Sequence, residues 1–426
     1  MSKTSQMTPR STDMSELILV AGAGAIGLSL ALALKQGVGE RFKIIVVDPA
    51  LDSAQGLPGT ADARAYAVAA AARRMLEALG VWDAVAPHAE PIHEMLITDS
   101  HTHDVVRPVF LNFAEERPEG QPFAQIVMAE ALNSALEALA RARGIVLLPA
   151  RVAATELHKG HVMATLSSGE TLKCRLIAAA DGARSQLRTA AALGWIAHDY
   201  AQSGIVATIL HQRPHQGRAI EHFMPGGPFA ILPLPDDAAG QHRSSIVWSE
   251  PRENVAVLLS MQAEDFKREV EARFGLQLGD ITLGDQPRAF PLGFGVARRF
   301  FGERLVLVGD AAHIVHPIAG QGLNLGLKDV AVLAEIVTDA ARLGLDIGAG
   351  SVLEGYERAR RADTVLMGAG MDMLNRLFSN DITAMRLARD LGLGLVERTP
   401  ALKHYFISRA AGETAATPRL MSGKGL

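Results

Sequence analysis

The sequence has a single cysteine, no basic run and little net charge, and each absence narrows the class of protein. One cysteine, Cys174, excludes an internal disulfide and a cysteine-based zinc cluster, which favours a reducing compartment. Cys174 lies in an apolar, strand-like stretch, so a buried and unreactive thiol is the expected role. The net charge of −4 argues against a nucleic-acid surface. We therefore expect neither a metal site nor a nucleic-acid partner.

A long uninterrupted apolar helix is also missing. The stretch from Leu17 to Leu34 is uncharged and long enough to suggest a membrane span. Gly22, Gly24 and Gly27 interrupt it, however, where a strand would turn into a helix. The residues before it contain little apolar sequence, so we interpret them as a frayed terminus rather than a signal peptide. We expect a cytoplasmic protein, with peripheral binding at the inner membrane face left open.

The chain is long enough for two interlocked domains and has an α/β pattern. At 426 residues it exceeds the length at which one hydrophobic core keeps growing. Residues 16–48 have the pattern of a strand, a glycine turn, a helix and a second strand, typical of a Rossmann-like unit. Residues 204–250 contain short strands with turn residues between them, which predicts an inserted antiparallel sheet.

Local patterns add further expectations along the chain. Residues 67–80 (AVAAAARRMLEALG) predict a helix that ends at a glycine. Residues 144–182 predict a meander of strands, and residues 253–260 (ENVAVLLS) and 263–275 (AEDFKREVEARFG) predict two helices. The framework returns at Arg304, and the chain from Tyr356 onward is expected to be mostly helical.

The first motif is Gly22-x-Gly24-x-x-Gly27, with Asp48 closing the second strand. Gly22 is suited to a tight turn, Gly24 to close approach of a pyrophosphate, and Gly27 to close packing of helix and strand. Asp48 is placed to accept ribose hydroxyls. Three glycines alone are a weak signal, so the surrounding strand–helix–strand pattern supports the dinucleotide site. A purely structural glycine turn is the alternative.

Two further motifs follow. In the second, Asp181-Gly182 ends an apolar stretch and precedes Arg184 and Arg188, a pattern equally explained by Asp181 or Ser185 capping a helix. The third covers residues 304–329, where an apolar strand ends in Gly309-Asp310 and a glycine loop leads to a helix expected to begin near Asn324. A buried carboxylate at Asp310 requires hydrogen-bond donors, such as ribityl hydroxyls. The start of that helix would direct positive charge and free N–H groups at an anionic ligand.

These three motifs, in this order and at these separations, resemble the flavin-dependent aromatic hydroxylases typified by para-hydroxybenzoate hydroxylase. The stretch GDAAH…P…GQGLNLGLKD is most similar to the ubiquinone-biosynthesis hydroxylases of that class. Two C-terminal stretches, YERARRADTVLMGAGMDMLNRLFS and ERTPALKHYFISRAAG, resemble the same subfamily. The resemblance covers most of the chain.

The resemblance implies a Rossmann-like FAD-binding domain with an inserted antiparallel-sheet substrate domain and a C-terminal helical region. The implied segments are FAD-binding at 14–95, a substrate-domain strand at 96–114, FAD-binding at 115–195, the substrate domain at 196–284, FAD-binding at 285–355 and the helical region at 356–426. The implied FAD-binding residues are Gly22, Gly24, Ala25, Ile26, Gly27, Asp48, Arg64, Gln125, Asp181, Gly182, Arg184, Gly309, Asp310, Pro317, Gly320, Gln321, Gly322, Leu323 and Asn324.

The chemistry implied is hydroxylation of the aromatic ring of a prenylated phenol or quinol precursor of ubiquinone. Oxygen and NADH or NADPH would be co-substrates, and the oxygen would be transferred through a flavin hydroperoxide. Pro317 and His316 are the catalytic candidates beside the ring, although a structural or FAD-edge contact is the default for His316 and a structural role the default for His313. Arg184 and Arg188 are candidates for contact with the nicotinamide cofactor, since no second dinucleotide motif follows.

Three other functions stay open at this point. The protein could hydroxylate a small soluble aromatic, reduce a substrate without oxygen, or stabilise a biosynthetic complex without catalysis. Met367, Met371 and Leu374 recur at helical spacing, which fits a plain core face or a tunnel for a polyprenyl tail. A prenylated substrate would also favour association with the membrane surface or with a biosynthetic complex.

Overall fold

The computed structural model describes residues 16–52, 64–99, 109–112, 122–275, 277–316, 320–378 and 417–426. The strands, in chain order, are β1 Glu16–Ala21, β2 Phe42–Val47, β3 Ala65–Ala69, β4 Ala89–Ile92, β5 Glu94–Asp99, β6 Val109–Asn112, β7 Ala124–Met128, β8 Val146–Leu148, β9 Val152–His158, β10 His161–Leu166, β11 Thr171–Cys174, β12 Leu176–Ala179, β13 Trp195–His211, β14 Arg218–Met224, β15 Gly227–Leu234, β16 His242–Pro251, β17 Ile281–Leu283, β18 Arg288–Ala297, β19 Phe301–Gly302, β20 Leu305–Leu307 and β21 His313–Ile314. The helices are α1 Ala25–Val38, α2 Ala70–Ala78, α3 Trp82–Val85, α4 Ala129–Ala142, α5 Gln186–Ala190, α6 Arg252–Ser260, α7 Ala263–Phe274, α8 Gln321–Arg342 and α9 Gly350–Phe378.

A six-stranded sheet in the order β19-β20-β12-β1-β2-β8 lies in the largest core. Its central pairs are parallel, with Leu19 of β1 beside Ile177 of β12 and Ile45 of β2. Parallel strands covered on both faces need continuous apolar sequence, which β1 and β12 provide. Helix α1 packs against α4 and α8. The parallel strands of this sheet therefore have their carboxyl ends, and the loops that follow them, at the same edge.

A nine-stranded mixed sheet forms the second layer. Its order is β21-β18-β13-β16-β15-β14-β5-β6, and β17 also pairs with β13. Helices α6 and α7 cover one face, where Phe266 and Phe274 join the core around Trp248. The other face packs on a small sheet, β3-β7-β4, through a cluster that includes Ala219 and Ile126.

A third small sheet, β11-β10-β9, flanks the framework. Residues 417–426 lie on α2 and α8, where Leu420 and Met421 are buried in the main core. Arg74 fixes this segment by donating to the carbonyl of Met421 at 3.0 Å.

The structure confirms β1, α1 and β2, the strands within 204–250, and the helices α6 and α7. Cys174 is buried as expected, and burial raises the pKa of its thiol to about 12. The apolar stretch from Leu17 to Leu34 is divided between β1 and α1. Among the described helices, none has the length and hydropathy needed to cross a membrane.

Two other expectations were wrong. The helix predicted over residues 67–80 begins as β3, because Ala65–Ala69 pairs with β7 before the chain turns into α2. The meander predicted over 144–182 is limited to β9, β10 and β11, since β8 and β12 join the parallel sheet. The helical region predicted from Tyr356 is confirmed as far as Phe378 by α9, and in the described residues 417–426 a short helical turn follows.

The predicted domain boundaries stay a prediction. Strand β18 lies beyond the boundary drawn at residue 284, yet it pairs with β13 of the nine-stranded sheet. Strands β5 and β6 belong to that sheet too, through the parallel pairing of β5 with β14.

Candidate flavin and substrate site

The predicted motifs meet at one edge of the parallel sheet. Gly22 follows β1, Asp48 follows β2, Asp181 lies just past β12, and Gly309 lies just past β20. These strands are neighbours in the order β20-β12-β1-β2, and adjacent strands lie about 4.8 Å apart. The structure thus brings together sequence positions that span almost three hundred residues, at the edge where open α/β sheets bind ligands.

The three positions of the first motif are glycine for different physical reasons. Gly22 has φ 111°, and a Cβ there would lie 2.2 Å from the carbonyl oxygen of Ala180. A Cβ on Gly27 would lie 1.9 Å from the carbonyl oxygen of Gly22. Gly24 differs, because its φ of −74° suits any residue and an added Cβ would meet nothing within 4 Å. Packing within the protein therefore explains the first and third glycines but leaves the second unexplained.

The N-terminus of α1 beside Gly24 is suited to an anion. No side chain caps it, and its first turn contains no acidic residue. The first N–H groups and the positive end of the helix dipole therefore point at open space. Asp48 is held alongside, because its two oxygens accept hydrogen bonds from the backbone of Ala23 (2.8 Å) and Ala50 (2.9 Å). A carboxylate has lone pairs for further donors, so Asp48 can still accept ribose hydroxyls.

The second motif caps a helix. Asp181 accepts from the backbone N–H groups of Gln186 (3.0 Å) and Leu187 (3.3 Å), and Ser185 accepts from that of Arg188 (3.0 Å). Both candidate caps are thus used to start α5. Gly182 has φ 78°, which favours glycine in this turn.

The arginines of this motif have different environments. Arg184 is exposed, as a surface contact for a nicotinamide cofactor requires. The prediction for Arg188 was wrong, because its guanidinium is buried against the ring of Trp195, 3.9 Å from the ring centroid. It donates to the carbonyls of Ala311 (2.8 Å) and Ala183 (2.9 Å). Arg188 therefore joins the second and third motifs and is not available to NAD(P)H.

The glycine loop of the third motif leads directly into α8. The helix begins at Gln321, three residues earlier than expected, because Gly320 takes a left-handed conformation (φ 62°, ψ 28°) and closes the turn. A Cβ on Gly322 would meet nothing within 4 Å, as at Gly24. No acidic residue lies in the first turn of α8. A second uncapped helix N-terminus with a permissive glycine therefore lies near the first.

Four of the predicted site residues turn their side chains into the protein. Asn324 accepts from the backbone of Ala69 (3.0 Å) and donates to the carbonyl of Ala67 (2.8 Å), so its amide fixes α8 to β3. Leu323 is buried in the main core. Ala25 is buried too, and Ile26 contacts Gly309 and Gly326. These four residues can offer a ligand chiefly backbone groups.

Asp310 is not the buried carboxylate that the sequence suggested. The residue is exposed to solvent, although the surrounding protein raises the pKa of its carboxyl by desolvation. His313 and Arg64 counter that effect, and Asp329 adds to it. The Arg64 guanidinium lies over the rings of Tyr66 (5.7 Å) and Phe290 (5.9 Å). The positive charge of Arg64 therefore favours the ionised form of the Asp310 carboxyl.

The buried carboxylate is Asp329, a residue to which sequence reasoning gave no role. Asp329 accepts from the backbone of Gly309 (3.0 Å), from His313 (2.5 Å) and from Arg360 (2.6 Å). Burial opposes ionisation, but His313 and Arg360 lower the pKa of Asp329 below its ordinary value. Arg360 also binds Asp363 at 2.6 Å. This cluster holds the Gly309–Asp310 turn against α8 and α9, and it gives His313 a structural role.

His316 is the histidine expected beside the flavin ring, and no described residue forms a hydrogen bond with its side chain. Its side chain is 1% exposed, and neither ring nitrogen has a hydrogen-bond partner among the described residues. It lies edge-on to Tyr200, with ring centroids 5.3 Å apart. Burial lowers its pKa to about 4, against a smaller opposing effect of Asp372, so the ring is neutral at pH 7. Pro317 lies outside the described residues.

The remaining candidate residues are Gln125, which lies in a strand, and the methionines of α9. Gln125 lies within β7, paired with Val68 and Pro91, and not directly before the helix. Met371 is buried, whereas Met367 lines a recess with Gln321, Asn324 and Lys328 beside the start of α8. The side chain of Leu374 lies outside the described part of the chain.

Comparison with known proteins agrees with this geometry. The family described as "FAD binding domain" matches residues 16–365. The chain belongs to this family and is an FAD-dependent monooxygenase that uses NAD(P)H. The class expected from the three motifs is therefore confirmed.

Particular relatives are close in sequence. The chain is 43% identical to a ubiquinone hydroxylase of Rhodospirillum rubrum, over 97% of this chain and 94% of that protein. It is 33% identical to 3-demethoxyubiquinol 3-hydroxylase of Escherichia coli, over 94% of this chain and 100% of that one. Among solved structures, p-nitrophenol 4-monooxygenase of Pseudomonas putida has a TM-score of 0.72 at 18% identity, over 94% of this chain and 100% of that chain. The last similarity shows the fold alone.

Proposed function

We propose that this protein hydroxylates the aromatic ring of a prenylated phenol or quinol precursor of ubiquinone, with O₂ and NAD(P)H as co-substrates. The observation that carries the proposal is the near full-length similarity to hydroxylases named for ubiquinone and demethoxyubiquinol. Bound FAD would supply the electron transfer from NAD(P)H and the oxygen transfer to the ring.

The residues at the sheet edge fit an extended FAD molecule. Gly24 and Gly322 have neither a backbone nor a packing reason within the protein to be glycine, so close approach of a ligand explains both. Gly24 and the start of α1 would bind the pyrophosphate, and Asp48 would accept the ribose hydroxyls. Asp310, on whose carboxyl the charge of Arg64 acts, would accept ribityl hydroxyls, and Gln125 and Arg184 would contact other parts of the cofactor.

The start of α8 would act on the flavin ring. Its uncapped N–H groups and the positive end of its dipole stabilise negative charge at a neighbouring ring edge. His316 is neutral at pH 7, so it can donate one hydrogen bond and accept another, but it is a weak base. We assign it to hydrogen bonding with the flavin edge or the substrate, because both ring nitrogens are buried without described partners.

The prenyl tail also suggests peripheral association with the membrane surface. Three large apolar side chains on α9 support it: Val365 is 40% exposed, Leu366 64% and Met373 63%. Co-sedimentation with anionic phospholipid vesicles tests this, and we expect Leu366→Glu combined with Met373→Glu to abolish it. Unchanged co-sedimentation of that variant would contradict the assignment.

The function itself is tested by quinone analysis of a strain that lacks the protein. We expect an under-hydroxylated prenylated precursor to accumulate and to disappear when the wild-type gene is restored. The Asp310→Ala variant should restore neither the quinone nor the flavin absorbance of the purified protein. A normal quinone profile in the deletion strain would contradict the proposal. Product formation without oxygen would instead indicate a reductase.

A further inference from the structure

One face of the nine-stranded sheet lies opposite the face that α6 and α7 cover. Along β14, Ile220 and Met224 lie in the core that α6 and α7 cover. Ala219 lies on the opposite face, in a cluster with Ile92 and Ile126 of the small sheet β3-β7-β4. Because side chains alternate along a strand, Glu221 and Phe223 share the face of Ala219.

That face is next to the start of α8. Ala67 of β3 belongs to the same cluster as Ala219. A Cβ on Gly320 would lie 2.9 Å from the Cβ of Ala67, and Asn324 donates to the carbonyl of Ala67 and accepts from the N–H of Ala69. The small sheet therefore contacts both Gly320, in the glycine loop before α8 (the flavin loop), and the face that carries Glu221. Substrate held between the large sheet and the flavin loop would meet this face.

Glu221 is an unusual side chain for such a position. It is 5% exposed, between Ile97 of β5 and Ala230 of β15. No described residue donates a hydrogen bond to it or forms an ion pair with it. Glu250, which is also buried, binds Trp248 (2.7 Å) and Asn254 (2.9 Å). A buried carboxyl that no described residue pairs with is costly, which favours a ligand or a reaction as the reason for this residue.

The electrostatics of Glu221 suit proton transfer. Burial raises the pKa of its carboxyl to about 7, and no neighbouring charge contributes to that shift. On the opposite face of the sheet, the hydroxyl of Thr98 on β5 and the ring of His222, the next residue along β14, form a hydrogen bond of 2.6 Å. A carboxyl that titrates near neutral pH is matched to general base catalysis at physiological pH.

We propose that Glu221 is the catalytic base that removes the proton from the phenolic hydroxyl of the substrate. The O–H bond of the phenol breaks, its electron pair stays on the phenolic oxygen, and the proton bonds to a carboxylate oxygen of Glu221. The ring becomes more electron-rich and so a better acceptor of oxygen, and Glu221 then returns the proton to solvent. This assignment rests on the proposed function, because it requires a phenolic substrate.

The test is the pH dependence of hydroxylation by the FAD-loaded protein, with a synthetic farnesylated phenol as substrate and product measured by mass spectrometry. In the wild type we expect the rate to rise with pH through an apparent pKa near 7. In Glu221→Gln we expect a rate lower by about 100-fold or more and no such rise. Glu156→Gln, on the exposed strand β9, is the matched control and should behave as the wild type.

Infrared difference spectroscopy gives a second readout that does not depend on turnover. Binding of the phenol should add a protonated-carboxyl band in the wild type and none in Glu221→Gln. If Glu221→Gln does not accumulate, Glu221→Asp serves instead: a displaced apparent pKa supports the assignment and an unchanged one opposes it. Equal rates and pH profiles in wild type and Glu221→Gln would overturn it. No product from the wild type at any pH would instead count against the proposed function.

Discussion

Alanine substitution of the second and third glycines of the first motif separates ligand binding from folding. A Cβ on Gly24 meets nothing in the protein, and the backbone there suits alanine. The gain from a less flexible unfolded chain, about 0.4–1 kcal/mol, is offset by the weaker helix cap. We therefore expect Gly24→Ala to change the free energy of unfolding of the flavin-free protein by less than about 1 kcal/mol. Its Cβ would occupy the space proposed for the pyrophosphate, so FAD affinity should fall by at least about 100-fold, or about 2.7 kcal/mol.

Gly27→Ala is the contrasting variant. Its Cβ would lie 1.9 Å from a backbone carbonyl that cannot move without displacing β1 from α1. Overpacking of a rigid core costs about 1–3 kcal/mol and more where backbone must shift, so we expect a loss of at least about 3 kcal/mol. The assay is thermal and urea unfolding of both flavin-free proteins, followed by FAD titration monitored by flavin fluorescence. A Gly24→Ala protein that binds FAD as tightly as the wild type would refute the assignment of this turn to FAD and leave it a structural glycine turn.

Three other variants test the buried polar groups. Arg360→Met should destabilise the protein by about 3–5 kcal/mol in urea unfolding, because it leaves Asp329 ionised and buried, and adding Asp329→Leu should recover part of the loss. Glu221→Gln should remove a pH dependence of stability, because the raised pKa of Glu221 makes the wild type lose about 1.4 kcal/mol per pH unit between about pH 4.5 and 7, about 3 kcal/mol in all. The variant should therefore become the more stable protein above pH 7. Parallel curves of unfolding free energy against pH for the two proteins would contradict this. Arg188→Lys should lower stability by about 2–3 kcal/mol, since it loses the two carbonyl contacts and the stacking on Trp195, while the KM for NADPH stays unchanged; a raised KM with unchanged stability would contradict the structural role.

Sequence reasoning succeeded where the pattern is local. The first strand, the glycine turn and α1 follow one another within a few residues, so periodicity and turn chemistry identify them. The caps at Asp181 and Ser185 were equally visible, because capping depends on residues only a few positions away. It failed at β3, where an alanine-rich stretch with high helix propensity forms a strand because β7 and the flavin loop pack against it.

The polar cluster of the site was harder to anticipate. Asp310 lies just after β20, and Asp329 lies within α8. Only the packing of α8 and α9 determines which of the two carboxylates is buried. Arg360, 31 residues beyond Asp329, carried no signal of its own within a charged helical stretch. Glu221 lies in a strand that is buried from Ala219 to Met224, and the burial of its face depends on the contact between two separate sheets. Signals of this kind lie in tertiary contacts and not in sequence spacing.

The order of strands in the parallel sheet has a consequence for how the protein matures during synthesis. Its neighbouring strands β1, β12 and β20 begin at Glu16, Leu176 and Leu305, and residues 417–426 complete the core against α2. An emerging chain thus exposes the glycine turn long before the ribosome has made the strand that carries Asp310. Because contacts of such long sequence separation form late, the nascent N-terminal half has an incomplete, aggregation-prone sheet for most of translation. Chaperone protection and cofactor supply should therefore matter most at the end of synthesis, when FAD can first bridge both halves of its site.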